Sequence, residues 1–130
     1  SFFPFKTQMK FDMVHTSHWL EHTLNLDETF GIISCLLENN GIWFIEVPNT
    51  GGEYWSLDLN DEPHFHFFTI PSLVNLANQF GFRIRHSGLY GNTWREYLNV
   101  YDRAVNNFDT FDESGDLNSA WIRMILEKRS

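Results

Sequence analysis

The run Gly41–Val47 (GIWFIEV), closed by Pro48, is almost unbroken in apolar, β-branched and aromatic residues. A strand with one wet face alternates, so this run reads as a strand covered on both faces, as in parallel α/β sheets. The residues before it sharpen that reading. Leu26, Phe30, Ile33 and Leu37 recur at steps of four, three and four, the spacing of one buried helix face. Asn25 and Glu28 hold capping-box positions ahead of that stripe, and Asn39-Asn40-Gly41 reads as its stop. Earlier still, Phe11–His15 (FDMVH) reads as a short buried strand, followed by a polar and aromatic turn, Thr16–His22, that leads into a short helical stretch. Strand, helix and strand with short joints make a βαβ unit, whose two strands run parallel.

Beyond Pro48, Asn49–Pro63 is polar and carries two glycines, a loop long enough to suggest a functional task. Thr69 reads as an N-cap with Pro71 in the first turn, and Leu73, Leu76, Ala77 and Phe80 form a buried stripe that Gly81 ends. Phe82–Ser87 alternates Phe82, Ile84 and His86 with Arg83 and Arg85, a strand with one wetter face. Thr93 and Glu96 make a further capping box, and Trp94, Tyr97, Leu98, Tyr101, Val105 and Phe108 have helical spacing. Asp109–Asn118 is acidic and turn-rich. Ala120–Lys128 (AWIRMILEK) reads as a last strand, although its pattern equally permits a short helix. No repeat or linker divides the 130 residues, so one domain over 1–130 is expected.

Charge narrows the function classes. Nine basic against 17 acidic residues give a net charge of −8, the wrong sign for a module that binds a phosphate backbone. The apolar runs fall far short of the roughly 20 residues of a membrane span, and no signal peptide is apparent. A single cysteine, Cys35, cannot form an internal disulfide, which favours a cytoplasmic protein. Its place beside the Leu26–Leu37 stripe suggests a small buried hydrophobe, not a nucleophile. Asp109, Asp112, Glu113 and Asp116 lack the spacing of a calcium loop and read as a solvated turn.

Two clusters carry chemistry. His18-Trp19-Leu20-Glu21-His22 fits H-x-x-E-H, in which two imidazoles four apart on a helix share a metal and the glutamate acts as base. That makes His18, Glu21 and His22 a candidate divalent-metal set and a metal-dependent hydrolase one reading of the chain. The competing reading has His22 as a packed, hydrogen-bonded imidazole. His64 and His66 alternate with Phe65, Phe67 and Phe68, so on an extended segment both imidazoles point one way. An imidazole that titrates near neutrality can take a proton from an attacking hydroxyl or amine; capping and structural roles explain the pair equally well.

FDMV, HWLEH, GIWFIEVPN and HFHFFTIPSL with a closing GF, in that order, resemble the C-terminal half of class I S-adenosylmethionine-dependent methyltransferases of the small-molecule branch. Phe3-Pro4-Phe5 is similar to the "PF" that precedes the fourth strand there. The resemblance runs from about Phe3 to Phe82. It implies an α/β, Rossmann-like mixed sheet with helices on its faces, and a last strand inserted antiparallel between Ile42–Val47 and Phe82–Ser87. It implies S-adenosylmethionine as cofactor and methyl transfer to a small-molecule acceptor. Thr16, Ser17, His18 and His22 would lie against the cofactor, at the carboxyl end of a parallel strand where open α/β sheets place ligands. His64 and His66 would be catalytic, and Asn49, Tyr54 and Trp55 would line the substrate. The family's glycine-rich cofactor loop and ribose-binding acid have no counterpart in these residues. The expectation is therefore a partial domain, with methyl transfer incomplete in this chain and a non-catalytic remnant or assembly module as the alternative. A bare strand edge would then pair with a second copy or with an N-terminal half.

Overall fold

A computed structural model of the chain describes residues 9–57, 65–95, 113, 114 and 116–129. Among them lies a five-stranded sheet in the order β1-β2-β5-β3-β4, formed by Phe11–Ser17 (β1), Leu37–Pro48 (β2), Phe82–Thr93 (β3), Glu113–Ser114 (β4) and Ser119–Lys128 (β5). β1 and β2 are parallel, with Val14 opposite Trp43 and Thr16 opposite Ile45. β5 is antiparallel to both β2 and β3, so the closing strand lies between them as the resemblance implies. Ala120–Lys128 is a strand, not a helix, because every residue from Trp121 to Lys128 has an antiparallel partner on one flank at least.

The βαβ reading holds in its connectivity and shifts at its edges. Helix α1 (Leu26–Leu36) is capped by Asn25, whose side chain accepts the Glu28 amide at 3.0 Å. It ends before Asn39-Asn40-Gly41, because Leu37 is fully buried and already pairs with Phe11 as the first residue of β2. The asparagines instead turn the chain within β2. Asn40 is left-handed at φ 65°, and the Gly41 backbone lies so close to the Glu38 carbonyl that a Cβ would sit 2.8 Å from it. Thr16 and Ser17 belong to β1 and not to a turn after it, since each finds a parallel partner in Ile45 and Glu46. Helix α2 (Ile70–Gln79) begins at a reciprocal cap: Thr69 accepts the Ser72 amide and Ser72 accepts the Thr69 amide.

Both helices cover the same face. Right-handed crossovers that step in one direction, β1 to β2 and then β2 to β3, leave their helices on one side. Phe30 and Ile33 of α1 and Leu73 and Ala77 of α2 pack there on Trp43, Ile45, Val47, Phe82, Ile122, Met124 and Leu126. Trp43 is the centre of this core, edge-on to Phe30 at 4.9 Å and tilted against Phe82 at 5.7 Å. The reading of Gly41–Val47 as covered on both faces is corrected: Ile42, Phe44 and Glu46 are half-buried on the opposite face, where no helix lies among the described residues.

Three further expectations change. Cys35 is exposed: its backbone carbonyl accepts a hydrogen bond from Lys10, and helical geometry carries it away from the Phe30–Ile33 face. β3 runs on to Thr93, which pairs with Ser119 and so is the last residue of a strand; Trp94 and Arg95 after it are helical, and the rest of the helix expected over Thr93–Phe108 lies outside the described residues. Glu113 and Ser114, expected in a turn, pair with Tyr90 and Leu89, a bridge too short to leave a period in the sequence. No helix among the described residues is long and apolar enough to cross a membrane.

Candidate functional site

β1 and β2 end side by side, and the chain leaves β1 through a strained residue. His18 has a left-handed φ of 52°, uncommon for any residue with a side chain. The strain is held by two bonds to one residue of β2: His18 N–H donates to the Glu46 carbonyl at 2.9 Å, and its Nε2 stands 2.8 Å from Glu46 Oε1. Ser17 Oγ donates to the same Oε1 at 3.1 Å, and Arg123 Nε donates to Oε2 at 2.6 Å. The sheet register explains the group, since Ser17, Glu46 and Arg123 are direct cross-strand partners on the face without helices. The His18 hydrogen bond and the Arg123 guanidinium hold the Glu46 carboxyl down at about 2 from an ordinary 4.5, against the opposing effect of burial.

Aromatic rings lead away from this cluster. Trp121 meets His18 edge-on at 4.6 Å, Trp94 meets Trp121 at 5.2 Å, and Tyr54 meets Trp94 at 5.5 Å. Trp55 and Phe67 continue the series at 5.1 and 5.0 Å. On the other flank Arg123 lies 4.9 Å over the Tyr90 ring, whose hydroxyl is 2.6 Å from His86 Nε2.

The residues expected to touch cofactor are gathered at this end. Thr16 and Ser17 border a cleft of about 390 Å³ between the outer edge of β1 and α1, with Val14, His15, Trp19, Ile33 and Leu36 as its other walls. Their side chains already have partners: Thr16 Oγ1 accepts the Trp43 indole at 3.0 Å, and Ser17 Oγ donates to Glu46. Glu21 sits behind, in a single 3₁₀ turn (Leu20–His22), 2% exposed and with neither carboxylate oxygen hydrogen-bonded. Its Oε2 is 3.9 Å from His18 Nδ1 and 3.8 Å from His22 Nε2. The Glu21 carbonyl accepts the amides of Phe65 and His66, which brings the His66 segment to the same end of the sheet. His66 Nε2 is buried without a hydrogen-bond partner. His64 lies outside the described residues.

The metal alternative on His18, Glu21 and His22 is not supported. His18 leaves a strand and His22 closes a one-turn 3₁₀ segment, so they do not lie on successive turns of one α-helix, and His18 Nε2 is turned to Glu46. Among the described residues no group of three potential ligands can hold an ion. Of the residues expected to line substrate, Trp55 is 65% exposed, whereas Tyr54 is 3% exposed and Asn49 is likewise buried. Asn49 acts as a clasp: its Nδ2 donates to the Leu117 and Ser119 carbonyls, and its Oδ1 accepts the Gly51 amide. Sequence reasoning missed Glu46, Arg123 and Trp121. The only signal for them was alternation in β2 and β5, which places Glu46, Trp121 and Arg123 on the same side of the sheet as each other.

A family described as "Methyltransferase domain" matches residues 2–87, well over half of the chain. No curated protein sequence matches significantly. Among solved structures, the chain is similar to an S-adenosylmethionine-dependent methyltransferase from Mesorhizobium loti (13% identity, TM-score 0.61, 94% of this chain and 63% of that one). One from Archaeoglobus fulgidus gives 18% identity and a TM-score of 0.60 over 93% of this chain and 61% of that one. One from Thermotoga maritima gives 16% and 0.66 over 98% and 59%. At these identities the likeness is one of fold, and the chain spans less than two thirds of each of these three relatives.

Proposed function

Because the chain belongs to the methyltransferase-domain family, we propose that it corresponds to the C-terminal, substrate-side part of an enzyme that transfers a methyl group from S-adenosylmethionine to a small-molecule acceptor. One observation carries this reading. β1 and β2 end in parallel beside a cleft, and Thr16–His18, Glu21 and the His66 segment all gather at that end, the place where open α/β sheets bind their ligands.

The residues fit one side of the cofactor. The cleft is walled by Val14, Trp19, Ile33 and Leu36, and the backbone of Thr16 and Ser17 runs along its rim. That suits contact with the methionine and sulfonium region. Among the described residues no carboxylate lines the cleft to meet paired ribose hydroxyls. The bound cofactor supplies the electrophilic methyl group. The chain's own residues at the cleft, Val14, Trp19, Ile33 and Leu36, would wall off water from the transferring methyl group.

A second reading, a non-catalytic assembly module, draws on the outer edge of β1, which has no strand partner among the described residues. Amide NMR of the ¹⁵N-labelled protein with S-adenosylhomocysteine, titrated to millimolar concentration, separates the two. Shifts confined to residues 16–19 and their β2 partners are the expected result. Unmoved amides there, or shifts at the opposite end of the sheet near Lys128, would overturn the methyltransferase reading in favour of assembly.

A further inference from the structure

We propose that Trp19 recognises the positive charge of the cofactor's sulfonium through the face of its indole ring. It thereby gives the cleft a preference for S-adenosylmethionine over the S-adenosylhomocysteine left after transfer, which is neutral at sulfur. The inference rests on the methyl-transfer reading and adds to it a residue that tells loaded cofactor from spent.

The walls of the cleft leave a charge to be met. A sulfonium is a permanent cation, and moving a cation from water into an apolar recess is costly unless charges or dipoles meet it there. Val14, Ile33 and Leu36 are aliphatic, and no carboxylate is among the described residues that line the cleft. The acids nearby are placed elsewhere. Glu46 is engaged by His18, Ser17 and Arg123 on the helix-free face, and Glu21 is 2% exposed and outside the lining. His15 borders the cleft, yet its ring packs edge-on to Phe44 at 5.0 Å, on the helix-free face. Trp19 is therefore the large aromatic surface among the described lining residues. Of the aromatic side chains, an indole attracts a cation over its face most strongly.

The backbone holds Trp19 at this place. The residue before it, His18, is pinned to β2 through its amide, and the residue after it, Leu20, is fully buried. The Trp19 carbonyl accepts the His22 amide at 2.9 Å, which closes the 3₁₀ turn behind the cleft. Trp19 is itself half-buried, and a partly desolvated ring holds a cation more firmly than an exposed one. The attraction ends with the reaction. The acceptor's electron pair forms the new bond to the methyl carbon, the pair of the broken S–C bond stays on sulfur, and the acceptor's proton goes to solvent. Sulfur is then an uncharged thioether, so the ring holds the product less tightly than it held the methyl donor.

The test compares ligands of nearly the same shape: S-adenosylmethionine with its sulfonium, sinefungin with an ammonium at that place, and S-adenosylhomocysteine with neither. Each is titrated to millimolar concentration against the ¹⁵N-labelled protein. The indole N–H of Trp19 is identified as the cross-peak that Trp19→Leu removes. Wild-type protein should bind both cationic ligands about tenfold more tightly than the neutral one, and the Trp19 indole should shift most with the cations. Trp19→Leu should remove most of that preference while leaving S-adenosylhomocysteine within about twofold of its wild-type affinity. Trp19→Phe should keep part of the preference, because a benzene ring has a weaker π-face. The ligand comparison on wild-type protein does not depend on how the variants fold. Equal losses for all the ligands in Trp19→Leu would overturn the inference and reduce Trp19 to an apolar wall. A wild type without preference for the cations, or a Trp19 indole that none of the ligands moves, would also overturn it. These outcomes leave methyl transfer standing as long as the amides of residues 16–18 shift. If no ligand moves those amides, the cofactor reading itself falls, and this inference with it.

Discussion

Glu46 shows how one side chain can couple stability to pH in this fold. Its carboxyl is held at about 2 in the folded chain against an ordinary 4.5, so the folded state favours the ionised form. That contribution is fully present above about pH 4.5 and is lost as pH falls through about 2. Replacement by Gln leaves Arg123 and His18 without their shared acceptor, so Glu46→Gln should cost about 2 kcal/mol at neutral pH. Urea denaturation at neutral pH and again at about pH 3 checks the sign: the gap between wild type and variant should narrow in acid. A gap that widens there would mean that Glu46 is not the ionised centre of the cluster. None of this was legible at the level of residue type, since a glutamate in an apolar run announces neither its register partner nor its charge. Cys35 shows the same limit. Its neighbourhood in sequence is apolar, yet an angle of helix rotation puts it in water.

At the scale of elements, local signals were read well where caps and periods are strong. The Asn25 and Thr69 caps and both helical stripes stand where spacing placed them, except that Leu37, the last position of the first stripe, already belongs to β2. Thr69→Ala removes one half of a reciprocal cap on α2, and a loss of about 1 kcal/mol is expected from thermal or urea unfolding. What the sequence hid is where strands begin and end, because pairing, not propensity, decides it. β2 starts at Leu37 through its bond to β1, and β3 reaches Thr93 through its bond to β5. The clasp between the β2 exit and the start of β5 was equally hidden, since its partners are about 70 residues apart in sequence. It is also sensitive. Gly52 has a φ of 60°, and a Cβ there would meet the Asn118 side chain and lie 2.7 Å from the Leu117 carbonyl. Gly52→Ala should therefore cost about 2–3 kcal/mol and loosen the Asn118 bond to the Glu53 amide. Faster amide exchange at Gly51 and Glu53 would register the change, and unchanged exchange would show that the clasp yields without strain.

For the whole molecule, the parallel βαβ pair was legible in the residues and the place of the antiparallel closing strand only through the family resemblance, whereas the sides left uncovered were not. Both described helices lie on one face. On the other, Ile42, Phe44 and Ile125 are only half-buried, and the bordering strand β1 exposes Met13 at 56% and Phe11 at 38%. The outer edge of β1 offers backbone donors and acceptors to no strand among the described residues. A parallel-sheet strand of this composition is rarely left open, because such an edge templates pairing with another chain. The net charge of −8 opposes random aggregation but does not protect the edge, where Asp12 is the only acid on β1 and lies among Phe11, Met13 and Val14. The 130 residues by themselves should therefore associate through β1 in a concentration-dependent way and bind S-adenosylmethionine more weakly than micromolar. Met13→Lys places a charge on the exposed strand without touching the core, a device natural edges use. It should shift light scattering toward the monomer while leaving the melting profile at low concentration unchanged. A monodisperse wild-type monomer that binds cofactor at micromolar concentration in calorimetry would refute both parts, and would mean that residues outside those described already cover the edge and complete the cleft.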